Sequence, residues 1–427
     1  MMLYFAAFLL LTQNPTQEPI DLAEAQAAFQ LVEKLWNADQ GKLWGTSLKG
    51  PMIFVEPRSR RAVANSPDGE GLLKPEGSLF VGTLPANVPV ANYSVKWAGV
   101  TWIMVMWPLP RDEREKVVLL MHEPFHRAQT QLGFPPTGPR NAHLLKLEGR
   151  YWLQLEWRAL QRAIEQPDKR KEALADALHF RAVRRSMFPD ARIEEQQLEM
   201  HEGLANYTGY ALAGMSKQDM HRKLCEDLER ANERPSFTRA FAYLSGPAYG
   251  VLLDEVASDW RKKLRSSDDL GQLIRQHYQL PEESVTREKA DERARQYRSA
   301  ELMNQELDKQ ARAQGTESAY RKKFTDAPQL IIPLIRMQMT FNPNTVTPLE
   351  QMGTVYGTLK VIDAWGTLST TRGGLISSDF KQLRVSVPLE NSRQMITGDG
   401  WELELHSNWT IKRGDRQGDW ILVQKNK

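Results

Sequence analysis

Cysteine is nearly absent from this chain: Cys225 is the only one in 427 residues. A single thiol excludes an intramolecular disulfide and any cysteine-rich zinc module. Paired with a distant histidine, Cys225 makes a poor nucleophile, and its expected role is helix packing. Neither sign of charge dominates, because 56 basic residues face 53 acidic ones for a net charge of +3. That balance gives no electrostatic ground for nucleic acid as a partner. No G-x-G-x-x-G, P-loop or G-x-S-x-G pattern occurs, so the common dinucleotide, phosphate and serine-hydrolase signatures are missing. A hydrophobic fraction of 41% is too low for a multi-span membrane protein. What remains is an ordinary globular composition, long enough for two or three domains with real cores.

One short apolar run stands at the N-terminus. Met2 to Leu11 is followed by polar Thr12-Gln13-Asn14-Pro15, a length that suits the h-region of a signal peptide and is too short to span a bilayer. Residues 1–18 are therefore expected to be a signal or N-terminal apolar segment. This makes the protein extracytoplasmic, periplasmic or secreted, with a cytoplasmic protein carrying a buried N-terminal element as the alternative. No other stretch is apolar enough for a membrane span.

The texture of the chain changes twice. Residues 21–38 carry helical apolar spacing. From about 41 to 110, Gly and Pro recur among short β-rich runs at 52–55 and 78–81, with a long alternating run at 93–107 that reads as one strand with a buried face. Within and beside it, Trp97, Trp102 and Trp107 fit core packing better than a cleft wall. From 112 to 326 the pattern is helical, with segments at 113–132, 141–165, 168–187, 191–213, 216–231, 237–265 and 285–323. Mixed charges at 281–325 suggest a solvated surface helix. From 328 to 427 it is β again, closing on a hairpin from 401–411 to 420–424 across the turn-rich 413–419. The expected fold class is α+β. A mostly antiparallel sheet region (41–110) and helices (112–326) form one domain, 19–326, followed by a small accessory β domain.

The residues that carry chemistry are His122-Glu123-Pro124-Phe125-His126, an H-E-x-x-H pattern that chance would produce in about 1% of such chains. Positions i and i+4 of a helix lie on one face, so both imidazoles reach one metal ion. The intervening Glu123 is placed to take a proton from water activated by that metal. Val117-Val118-Leu119-Leu120-Met121 leads in as a helix crossing a core would. Pro124 costs about 3 kcal/mol in a helix interior. The apolar lead-in favours a kinked helix running through it over one that starts there, a start that would break the i, i+4 geometry.

Two histidines leave a catalytic zinc short of a third protein ligand. Extension by a third histidine fails, because position 129 is Gln and position 132 is Leu. Residues 201–207, His-Glu-Gly-Leu-Ala-Asn-Tyr, resemble the Asn-Glu-Gly-Phe-Ala-x-Tyr signature of gluzincins, the thermolysin and aminopeptidase-like superfamily of zinc metallopeptidases. The resemblance implies zinc as cofactor, Glu202 as third ligand on a helix packed against the first motif, and hydrolysis of a peptide or protein substrate. Small Gly203 and Ala205 suit close helix approach. The sequence departs from the signature in having His201 for Asn, and some 75 residues separate the two motifs. Glu148, His143, His201 and Glu199 compete for the third position. Glu195 and Glu199 read best as a solvated stripe. Tyr207 and Tyr249, with Tyr243, are candidates to stabilise an oxyanion. The alternative to an enzyme is a catalytically inactive zincin-fold binding protein.

Overall fold

A computed structural model describes residues 19–425 except 235, 343, 344, 393 and 394. The N-terminal apolar run at 1–18 lies outside the described residues. The fold is α+β, and the chain divides into two compact units, 1–303 and 304–427.

The first unit begins with helix α1 (Leu22–Asp39), whose N-cap Asp21 accepts from the amides of Ala23 and Glu24. Six strands follow: β1 (Met52–Val55), β2 (Arg61–Ala64), β3 (Lys74–Glu76), β4 (Leu79–Thr83), β5 (Tyr93–Trp97) and β6 (Val100–Met106). They form one sheet in the order β3-β4-β2-β1-β6-β5. It is antiparallel except for the central pair β1 and β6. The alternation at 93–107 does not belong to one strand. Ala98 and Gly99 both adopt positive φ and fold the run into the β5–β6 hairpin, which leaves β5 at the sheet edge. Trp102 and Trp107 are buried as core residues. Along β1 and β6, Met52, Phe54, Ile103 and Val105 face α1, while Ile53, Val55, Trp102 and Met104 fill the opposite face, the period-2 pattern of a strand buried on both sides.

Helix α2 (Glu113–Ala128) starts where Asp112 accepts from the amides of Arg114 and Glu115. It lies between two cores. Leu120 and Met121 pack with the sheet and α1, while Val118 and Phe125 join the large helical cluster. Pro124 sits inside this helix, and α2 runs through it from Glu113 to Ala128. Burial on two sides offsets the lost backbone hydrogen bond.

The remaining helices of this unit are α3 (Leu147–Glu165), α4 (Arg170–Met187), α5 (Ala191–Leu198), α6 (Leu204–Leu212), α7 (Lys217–Glu229), α8 (Phe237–Ala240), α9 (Ala242–Asp254), α10 (Trp260–Lys263), α11 (Leu270–His277) and α12 (Arg287–Ala294). Between α5 and α6, residues Glu199–Gly203 form a π-helical turn. The segment 237–265 is three short helices, α11 has no counterpart in the sequence reading, and 285–323 is broken where Arg298 turns left-handed at φ 53°. Cys225 is buried in the helical cluster. Burial, with the Glu165 carboxylate beside it, pushes its thiol pKa up to about 12.

The unit boundary falls within α13 (Ser299–Thr325), two dozen residues ahead of the change of texture at 328. The second unit then builds β7 (Gln329–Pro333), β8 (Gln338–Phe341), β9 (Val346–Leu349), β10 (Gly353–Tyr356), β11 (Leu359–Asp363), β12 (Gly366–Thr370), β13 (Gly374–Ser377), β14 (Gln382–Ser386), β15 (Pro388–Asn391), β16 (Met395–Gly398), β17 (Trp401–Leu405), β18 (Trp409–Arg413) and β19 (Trp420–Gln424). A seven-stranded sheet, β18-β19-β7-β14-β13-β10-β9, and a six-stranded sheet, β15-β16-β17-β12-β11-β8, bury one shared apolar cluster that includes Ile332, Val385, Leu368 and Leu403. The closing hairpin is β18–β19. Residues 401–405 belong to the other sheet, paired with β12. No described helix is long and apolar enough to cross a membrane.

Candidate metal centre

Helix α2 and the α5–α6 run bring His122, His126 and Glu202 together. One ligand atom from each lies within 4.8 Å of the others, and all three residues are at least partly buried. The two Nε2 atoms are 2.9 Å apart. Oε2 of Glu202 is 3.6 Å from Nε2 of His122 and 3.5 Å from Nε2 of His126. This group could hold a metal ion.

The far sides of both rings are set by carboxamides whose own orientation is fixed. Nε2 of Gln129 donates to the main-chain carbonyls of Met200 and His201, so its Oε1 is the atom facing Nδ1 of His126 at 2.8 Å. Nδ2 of Asn206 donates to the carbonyl of Tyr243 at 2.6 Å, which turns its Oδ1 toward Nδ1 of His122 at 3.4 Å. When both rings are neutral, the acceptors facing Nδ1 place the protons there, and both Nε2 lone pairs point at the same spot. Lone pairs 2.9 Å apart repel unless a cation stands between them. Ligating histidines are held by such partners on their other nitrogen. Burial holds the His122 pKa below its usual value. His126 is also desolvated, but the carboxylates of Glu202 and Glu123 outweigh that and raise it to about 9. The pocket therefore attracts positive charge.

Glu202 has a shell of its own. Its Oε1 accepts from Nη2 of Arg239 at 2.8 Å and its Oε2 from the Tyr243 hydroxyl at 2.5 Å. The Tyr243 ring stacks on His122, with centroids 5.5 Å apart and planes 6° from parallel. Despite near-complete desolvation, the neighbouring histidines hold the Glu202 carboxyl well below its ordinary range. Glu123 differs. It is 1% exposed, neither of its carboxylate oxygens has a hydrogen-bond partner, and its Oε1 is 4.0 Å from Nε2 of His122. Burial, reinforced by the Glu202 charge and opposed by His126, pushes its pKa up to about 8. An unpartnered buried carboxylate is costly, and one beside a metal-type donor set has the placement of a proton acceptor.

The other candidates lie elsewhere. Glu148 accepts from the Trp152 indole at 3.0 Å and pairs with Arg287 at 3.2 Å. His143 bonds Glu195 at 2.8 Å. His201 keeps beside the group, its Nδ1 3.6 Å from Oε1 of Glu202, but it is not one of the three clustered donors. The hydroxyl of Tyr207 is committed to Asp254 and Arg261 at 2.7 and 2.6 Å, and that of Tyr249 to Glu156 at 2.6 Å. Of the three candidate tyrosines, Tyr243 is the one hydrogen-bonded to the group. Glu195 and Glu199 are not a solvated stripe. Both are fully buried against Arg181, Arg184 and Arg185. Gly203 allows a close approach, but to Gly246 of α9; the glycine that lets α6 close on α2 is Gly209, where an added Cβ would lie 2.5 Å from the carbonyl of Val118.

Gln129, Asn206 and Arg239 escaped the sequence reading. Gln129 stood out there only as the residue that spoils a third-histidine extension, although its i, i+3 spacing from His126 was the available signal. Searches against protein-family models, curated proteins and solved structures return no match for this chain.

Proposed function

We propose that the protein is a zinc metallopeptidase of gluzincin type, with His122, His126 and Glu202 as zinc ligands. The observation that carries this reading is the convergence of two histidines and a glutamate, 76 positions beyond the second histidine, beside Glu123, a buried carboxylate with no hydrogen-bond partner. Two nitrogen donors and one carboxylate suit zinc and match the three-ligand set of catalytic sites. When bound, zinc supplies a Lewis acid that acidifies water and polarises a carbonyl.

The chain's own residues supply the rest. Glu123 accepts the proton of the attacking water at its carboxylate and later delivers it to the leaving nitrogen. The Tyr243 hydroxyl, at the edge of the ligand set, would turn its proton from Oε2 of Glu202 toward the oxygen on which charge develops. Arg239 neutralises Glu202 and holds its second oxygen. Strand β5, which contacts α2 and has no strand on its outer side among the described residues, offers main-chain groups to an extended peptide. The N-terminal apolar run supports an extracytoplasmic location.

The test uses the full chain. Stoichiometric zinc is expected after purification, with hydrolysis of unstructured polypeptide that a chelator abolishes and zinc restores. Glu123→Gln is expected to retain the metal and lose hydrolysis. A chain that takes up no zinc refutes the metal reading. One that holds zinc yet cleaves nothing across a broad peptide library is a binding protein on the same frame.

A further inference from the structure

We infer that the π-helical turn Glu199–Gly203 is a positioning device, and that the buried Glu199–Arg181 pair anchors it so that Glu202 reaches the histidines. The inference rests on the metal reading above.

In an uninterrupted α-helix, positions 195, 199 and 202 are i, i+4 and i+7 and share one face. All three glutamates would then look at the same neighbours. Two of them do. Glu195 is held by Arg184 at 2.7 Å and Arg185 at 2.8 Å. Glu199 takes a two-point fork from Arg181, at 2.8 and 2.5 Å. Glu202 instead meets His122, His126, Arg239 and Tyr243. The change of direction occurs where the backbone widens, for the amide of Leu204 donates to the carbonyl of Glu199, five residues back. A π turn is rare, costs stability as an isolated feature and recurs at functional sites because it re-aims side chains.

Glu199 is the first residue of that turn, and its side chain is pinned. Arg181 is itself fixed by Glu156 of α3 at 3.1 Å and by Asp269, the N-cap of α11, at 3.3 Å. Both members of the pair are at most 3% exposed. Further along the turn, the carbonyls of Met200 and His201 accept from Gln129. Gly203 faces Gly246, where any larger residue would be displaced, since a Cβ on Gly246 would lie 2.3 Å from the Gly203 Cα. The turn is therefore held at its start by a charge pair, in its middle by a carboxamide and at its end by a glycine contact. A buried ion pair adds little net stability compared with apolar residues of like volume, and geometric control is the use that remains for it here. Arg181 and Glu199 are positioning residues, acting through Glu202.

Wild type and three variants, Glu199→Asp, Glu199→Gln and the apolar pair Arg181→Met with Glu199→Leu, are to be compared for zinc affinity by chelator competition, for the visible spectrum of the cobalt-substituted protein and for thermal midpoint. Folded variants are expected to bind zinc about 10–100-fold more weakly, as when groups supporting metal ligands are lost, with an altered cobalt spectrum. A residue that serves only stability would shift the midpoint and leave both metal readouts alone. Folded variants with wild-type affinity and spectrum overturn the inference while the metal reading stands. A wild type that takes up neither ion overturns the metal reading, and the inference with it.

Discussion

The side-chain oxygen of Gln129 lies 2.8 Å from Nδ1 of His126, while the nitrogen of the same carboxamide donates to the carbonyls of Met200 and His201. One fully buried side chain thus ties the helix that carries both histidines to the turn that carries Glu202. Gln129→Met keeps the volume and apolar stem but removes both the acceptor and the donor. It is expected to weaken zinc by about 10–100-fold and to lower stability by about 0.5–1.5 kcal/mol for the side-chain hydrogen bonding lost to the Met200 and His201 carbonyls. Chelator competition and urea unfolding measure the two effects separately. Unchanged zinc affinity would show that His126 needs no such partner.

Among the tyrosines, position relative to the ligand set separates roles. Tyr243→Phe keeps the stack on His122 and loses only the hydroxyl that meets Glu202. Its kcat on a peptide substrate is expected to fall by about 10²–10³-fold, the usual range for one lost oxyanion donor, with KM changed little. Tyr207→Phe and Tyr249→Phe delete hydroxyls bonded to Asp254 and Glu156. They are expected to lower the thermal midpoint and to leave kcat close to wild type. Equal losses of kcat in all three variants would argue that the hydroxyl of Tyr243 has no special part.

Much of the architecture was legible because it follows from periodicity. The helices expected at 21–38 and 113–132, found at 22–39 and 113–128, and the three-part α+β order come from apolar spacing. The i, i+4 pair His122 and His126 was legible for the same reason, since one helical turn is a local rule. What local rules cannot convey is which way a buried charge faces. Glu195 and Glu199 look like a surface stripe from their spacing. They become interior residues because Arg181 and Arg184, on a different helix, arrive to neutralise them. The π turn was illegible too, because a single widened turn leaves the count of apolar positions nearly unchanged. At Ala98 and Gly99, two left-handed residues split an alternating run into a hairpin. Arg239 gains its place beside the His122–His126–Glu202 group, and Gln129 its bonds to the Met200 and His201 carbonyls, only when separate helices pack.

The buried arginine–carboxylate cluster predicts a dependence of stability on pH. Glu195 is fully desolvated, which by itself raises a carboxyl pKa, yet Arg184 and Arg185 and the bond from His143 hold it well below its ordinary value of 4.5. A carboxyl with a depressed folded-state pKa contributes stability above its unfolded value and loses that contribution as the pH falls toward the folded one. Glu195→Gln is expected to cost about 3–5 kcal/mol near neutrality, since it leaves buried arginine charge uncompensated. The gap between wild type and variant should hold down to about pH 5 and narrow progressively below 4.5. Urea titrations of both proteins across that range measure it. A gap that stays constant on acidification would mean that the carboxylate charge is not what holds the cluster.

Two glycine substitutions with opposite expected signs test how closely α2, which carries His122 and His126, and α6, which follows Glu202, are required to pack. Gly209 on α6 faces α2, and an alanine Cβ there would lie 2.5 Å from the carbonyl oxygen of Val118 and 2.9 Å from its side chain. The obstacle is helix backbone, so relief requires the two helices to separate. Overpacking of this kind costs about 1–3 kcal/mol or more, and separation also moves His122 and His126 away from Glu202. Gly209→Ala is therefore expected to lower both the thermal midpoint and zinc affinity. Gly315 lies within α13 with nothing within 4 Å of an added Cβ, and there alanine removes only the entropy that glycine retains in the unfolded chain. Gly315→Ala is expected to add about 0.5–1 kcal/mol and to leave zinc affinity as in wild type. Differential scanning calorimetry with parallel zinc titration reads both quantities. If Gly209→Ala lowers the midpoint while zinc binds as before, the spacing of α2 and α6 serves the core alone.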